Sequence, residues 1–209
     1  MATFCLVHGA WHGGWAWGPL RAELEARGHT VVAPDLPCDD VRAGVEEYAA
    51  VARDALGGVE DAVVVGHSLG GLTIPFVPAR TRVFLCALVP GADTSDAFVP
   101  GFGEARLRDE LGRSYYADPG DAARELQYPD LDTSLAARLR PQAPVDAASF
   151  EIAGPVAYIV CARDAAIRAE WQRRVAREVL RVEPLELDAG HSPMLSHPHE
   201  LADALSSMA

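Results

Sequence analysis

The chain has 209 residues, 49% of them hydrophobic, and its 30 acidic residues against 18 basic ones give a formal charge of −12. That length supports one sizeable core and leaves little room for a second. A chain this negative lacks the cationic face that nucleic acid or an anionic membrane requires, so neither is expected as a partner.

Short runs rich in Val and Leu, bounded by turn residues, recur at Thr3–Val7, 30–33, 61–65, 82–89, Val156–Cys161 and 182–187. Such runs predict parallel strands buried on both faces. Between the second and third, Val41, Val45, Tyr48, Ala52 and Leu56 keep helical spacing until Gly57-Gly58 stops the pattern. Trp171, Val175 and Val179 predict a helix between the last two runs, and Pro198, flanked by His197 and His199, marks another helix start.

Alternating strand and helix predict an α/β fold: a mostly parallel sheet of about six strands with helices on both faces and right-handed crossovers. Ligands in such sheets bind beyond the carboxyl ends of the strands. The segment 91–154 breaks the alternation with Pro, Gly and Asp clusters and short helical patches at 104–111 and 135–139. A structureless loop that long is uncommon in a compact domain. A short helical lid, inserted into a single domain spanning 1–209, is therefore expected.

The first residues carry no basic leader and no small-residue cleavage site, and no stretch nears the roughly 20 apolar residues of a membrane span. A soluble, cytoplasmic protein is expected. Cys5, Cys86 and Cys161 fall in apolar runs and Cys38 in a loop after Pro37, none with metal-ligand spacing. They read as small buried hydrophobes and one loose thiol, and no metal site is expected.

Directly after the run 61–65 comes Gly66-His67-Ser68-Leu69-Gly70-Gly71, followed by a helical pattern. This order fits a nucleophile elbow, in which a tight strand-to-helix turn raises the serine above the sheet and glycines two residues away avoid collision with neighbouring backbone. A helix N-cap is the simpler role for such a serine. A serine hydroxyl needs a base to take its proton, and the expected chain order is serine, acid, histidine. Asp164 stands at the end of one later strand, in Ala162-Arg163-Asp164, and His191 follows the last, in Gly190-His191-Ser192. Asp93, after the run ending at Val89, is the other position for the acid. Two backbone N–H groups must hold the oxyanion: that of Leu69, after the nucleophile, and that of Ala10, in the glycine-rich loop after the first strand. Trp11, Tyr115 and Tyr116 are candidates to line the substrate pocket or to pack the core and lid.

With these residues in view, the chain resembles the α/β-hydrolase superfamily, and within it the plant methyl esterase and hydroxynitrile lyase group with its small bacterial relatives. The matching residues are Leu6-Val7-His8-Gly9-Ala10-Trp11-His12-Gly13-Gly14-Trp15, Val32 to Pro37, Gly66 to Gly71, Ala162 to Asp164, and Gly190 to Ser196. The resemblance implies an α/β-hydrolase fold, a Ser68, Asp164 and His191 triad, Ala10 and Leu69 as oxyanion donors, and no cofactor. The usual pair of strands before the first one here is missing, and only 96 positions separate Ser68 from Asp164. The first implies a six-stranded sheet, and the second a reduced cap with a more open or smaller pocket.

Ester hydrolysis on a small uncharged ester is the leading expectation, with acyl transfer on the same triad differing only in the acceptor. Cyanohydrin cleavage in this group uses a lysine beside the catalytic histidine. Here that neighbour is Ser192, and all 18 basic residues are arginine. A ligand-binding protein of low turnover is the remaining class, because a fold by itself does not fix function. No oligomeric state follows from the sequence.

Overall fold

The computed structural model describes residues 1–102, 106–116, 133–146 and 152–209. In chain order the strands are β1 (Thr3–Val7), β2 (Thr30–Val32), β3 (Val63–His67), β4 (Thr81–Leu85), β5 (Arg106–Arg108), β6 (Ser114–Tyr116), β7 (Val156–Cys161) and β8 (Leu185–Leu187). The helices are α1 (Gly18–Ala26), α2 (Val45–Leu56), α3 (Ala169–Glu178), α4 (Pro193–Ser196) and α5 (Pro198–Ser206). Six strands form one sheet in the order β2-β1-β3-β4-β7-β8, every pair parallel.

Side chains alternate across this sheet, and each face builds its own core. From β1, Phe4 and Leu6 join Val63, Val65, Val83 and Leu85 against Leu20 and Leu24 of α1 and Leu201 and Leu205 of α5. Cys5 and Val7 face the other way, with Val64, Phe84 and Tyr158, against Tyr48 and Ala52 of α2 and Trp171 and Val175 of α3. Both faces are dry, so the strands read as continuous apolar runs.

The chain steps from β1 to the edge strand β2 and returns to the other side of β1 as β3. Strand order therefore reverses between β1 and β3, and a crevice opens beyond their carboxyl ends. The loop from His8 to Gly13 and the turn at Ser68 meet there.

Three local expectations change. The patch 104–111 is not helical where described: Arg106–Arg108 pairs antiparallel with Ser114–Tyr116 as a hairpin, while Glu104 and Ala105 lie outside the described residues. Leu107 and Leu111, whose spacing suggested a helix, are exposed and pack no helical face. The patch 135–139 falls on a 3-10 helix, Thr133–Arg138. After Ser68 the chain runs through two 3-10 turns, Ser68–Leu72 and Ile74–Phe76, because Pro75 cannot donate to a longer helix. Cys38 is buried, with its Sγ 3.8 Å from the carbonyls of His12 and Pro141, so it is no loose thiol. Among the described residues, no helix is long and apolar enough to cross a membrane.

Candidate active site

Ser68 follows β3 directly and takes a φ of +51°, a strained value for a residue with a side chain. Neighbouring backbone holds it there. A Cβ on Gly66 would come within 2.8 Å of the Gly70 carbonyl oxygen, and one on Gly70 within 2.6 Å of the Val7 carbonyl oxygen. Only glycines let the turn close onto β1.

His191 Nε2 lies 3.1 Å from Ser68 Oγ, and His191 Nδ1 donates to Asp164 Oδ2 at 2.8 Å. When Nδ1–H is donated to the carboxylate, the other ring nitrogen, Nε2, is the one that faces the serine hydroxyl. The imidazole and the carboxylate are both almost fully buried. Asp93 is exposed, and its carboxylate caps Ser95 through the backbone N–H and the hydroxyl, so it takes no part in this line.

Asp164 is held by more than histidine. Its Oδ1 accepts the backbone N–H groups of Ala166 at 2.7 Å and Ile167 at 2.9 Å, and Gln172 Nε2 donates to Oδ2 at 2.8 Å. Gln172, fully buried on α3, also donates to the Ile167 carbonyl and accepts from Cys161 N–H through Oε1. Every polar atom of that amide is thereby used, which fixes the carboxylate as well. The sequence reading missed this residue. Its only sign there is a glutamine on the apolar stripe of a helix that follows the acid.

His67 Nε2 donates to the His191 carbonyl at 2.8 Å, and the Cys86 thiol approaches the same oxygen at 3.4 Å. Complete burial, with His191 and His12 nearby, holds His67 well below the ordinary histidine range. A neutral His67 places no cation beside the His191 ring. His67, Cys86 and His191 bring ligand-type atoms within 4.8 Å of one another. Two of the three, however, already donate to the His191 carbonyl, and the third faces Ser68.

The loop after β1 is tied by its carbonyls. His8 Nδ1 donates to the Gly9 carbonyl at 2.9 Å while its Nε2 accepts Leu36 N–H, and His12 Nδ1 donates to the Ala10 carbonyl at 2.7 Å. Arg140 binds the Trp11 carbonyl through its backbone N–H at 2.8 Å and reaches the His12 carbonyl with its guanidinium at 3.3 Å. Burial lowers His8 to about 4 and His12 to about 3, so both remain neutral. The Gly9 carbonyl and the Ala10 N–H belong to one planar peptide, so fixing the first aims the second. Among the described residues, no acceptor engages Ala10 N–H.

Ala10, Leu69 and Ser68 share the wall of a cavity of about 310 Å³. Trp11 lines it as well, held by its Nε1 donating to the Ser114 carbonyl at 3.1 Å. Tyr115 and Tyr116 line a separate crevice beside Leu139 and Arg140, and the Tyr116 ring packs edge-on against Trp11 at 5.3 Å. Arg106 and Arg108 add positive charge to the cavity wall, which the sequence reading did not anticipate. Ser192, where a lyase of the resembled group would carry lysine, is buried, and its Oγ has no partner among the described residues.

The chain is 31% identical to salicylic acid-binding protein 2 of Nicotiana tabacum, over 99% of this chain and 96% of that one. It is 28% identical to methylesterase 7 of Arabidopsis thaliana, over 99% of this chain and 95% of that one. Both alignments run over 252 positions, so those relatives carry segments this 209-residue chain lacks. A carbendazim hydrolyzing esterase of Nocardioides is 38% identical over 51% of this chain and 46% of its own. Among solved structures, a pyrethroid hydrolase from Sphingobium faniae superposes with a TM-score of 0.84 at 24% identity, covering 99% of this chain and 96% of the other. Residues 6–204 match the alpha/beta hydrolase family, and the chain belongs to that family as a hydrolase enzyme.

Proposed function

We propose that this chain is a serine carboxylesterase acting on a small ester through an acyl-enzyme at Ser68. The observation that carries this reading is the hydrogen-bonded line from Ser68 Oγ through His191 to the buried Asp164, opening on the cavity beside Ala10 and Leu69. The names of the relatives, methylesterase and carbendazim hydrolyzing esterase, support ester hydrolysis.

Ser68 Oγ attacks the ester carbonyl carbon while His191 Nε2 takes its proton. The carbonyl oxygen becomes an oxyanion between the N–H groups of Ala10 and Leu69, an interaction of which one donor commonly contributes about 100- to 1,000-fold in rate. Collapse breaks the bond to the alcohol, which leaves with the proton from His191. Water then attacks the acyl-enzyme with His191 as base and releases the acid. Asp164 holds the tautomer and stabilises the imidazolium in both halves. These steps use no metal or cofactor. The hairpin β5–β6 and the 3-10 helix after it act as the lid. Four unpaired, buried cysteines suit a reducing, cytoplasmic setting.

Turnover of 4-nitrophenyl acetate and butyrate by wild type and Ser68→Ala tests the proposal. A loss of about 1,000-fold or more in kcat is expected from the variant. Equal rates in the two proteins would overturn it.

A further inference from the structure

We propose that the ester taken by this site carries a carboxylate, and that Arg106 is the residue that binds it. This inference rests on the esterase reading above. Arg106 sits on β5, in the same cavity wall as Ser68 and Leu69. Its guanidinium carbon stands 4.4 Å above the Phe102 ring and 5.3 Å from the Trp11 ring, so two aromatic faces fix its plane. Its Nε is buried and has no hydrogen-bond partner among the described residues.

Among the described residues, no carboxylate pairs with that charge. Several other arginines of this acidic chain find carboxylates: Arg27 pairs with Glu23 and Asp203, Arg113 with Asp109, Arg173 with Glu186 and Arg174 with Asp96. The described cavity wall contains no acidic residue, and its other ionisable member is a second arginine, Arg108. Burial acts most strongly against the Arg106 cation, and Arg108 adds to it while Tyr116 acts the other way.

A half-buried guanidinium whose Nε lacks a partner and which has no counter-charge among the described residues gains from an incoming group that supplies both. The planar fork of arginine matches a carboxylate with two parallel hydrogen bonds, and an anion in this cavity would meet two positive charges with none opposed. In place of the uncharged ester suggested by lid composition, the site favours a half-ester of a dicarboxylic acid or an acylated hydroxy acid. A neutral ester of the same length leaves Arg106 unpaired.

The test measures binding by calorimetry in the Ser68→Ala protein, which cannot consume the ligand. Two pairs are compared: monomethyl adipate with dimethyl adipate, and 4-acetoxybutyrate with its methyl ester. At least one anion is expected to bind tenfold or more tightly than its neutral partner. The preference should vanish when Arg106→Gln is added, and Arg106→Lys should restore part of it. Equal binding within both pairs, or a preference that survives Arg106→Gln in a protein with an unchanged melting transition, would overturn the proposal. The binding arm reads the arginine, and 4-nitrophenyl butyrate turnover by wild type reads the esterase chemistry, so either failure is recognised separately.

Discussion

At the scale of single residues, the site depends on groups that touch no substrate. Gln172 Nε2 is one of four donors converging on Asp164, and the same amide bridges Cys161 N–H and the Ile167 carbonyl. Gln172→Leu keeps the volume and removes all three bonds. It is expected to lower kcat about tenfold or more with KM little changed, because a looser carboxylate costs the transition state about 1.4 kcal/mol per decade of rate. Steady-state kinetics check this, and an unchanged kcat would show that the two backbone N–H groups suffice. The proposed triad was legible in the sequence because each member stands in a short motif at a strand end. Gln172 and Arg106 were not, since their meaning depends on partners brought in by helix winding and by a hairpin the sequence did not announce.

At the scale of elements, the elbow is braced from behind by a buried cation. Arg82 on β4 donates to the carbonyls of Ile74 at 3.1 Å, Val77 at 2.8 Å and Ala153 at 2.7 Å. These carbonyls belong to the start and the cap of the second 3-10 turn after Ser68 and to the segment entering β7, so one guanidinium ties the elbow to two neighbouring strands. Arg82→Met leaves the buried Val77 carbonyl without its donor and is expected to destabilise the fold by about 1–3 kcal/mol. Denaturant unfolding measures it, and a change under about 0.5 kcal/mol would contradict the bracing role. The parallel strands were legible because burial on both faces writes a continuous apolar run. The hairpin was misread because Leu107 and Leu111 mimic helical spacing while facing solvent. The turns after Ser68 shortened because Pro75 stops them.

At the scale of the whole molecule, buried neutral histidines set how the fold responds to acid. His8 and His12 are held by burial to about 4 and about 3 from an ordinary 6.5, and His67 lies well below its ordinary value too. In the unfolded chain these rings take up protons near pH 6.5, whereas in the fold they do not. The unfolded state therefore binds more protons throughout the window between. Stability is full above about pH 6.5 and falls as pH drops through about 4, each histidine removing about 1.4 kcal/mol per pH unit. The melting temperature should fall by roughly 10 °C or more between pH 7 and pH 5. A flat profile would mean that these rings titrate inside the fold. The central claim is that Ser68 is an activated nucleophile, and labelling with a fluorophosphonate followed by peptide mass spectrometry tests it most directly. One adduct per chain, on Ser68 and absent from His191→Ala, is the predicted result. An unlabelled protein, or an adduct elsewhere, would contradict the account.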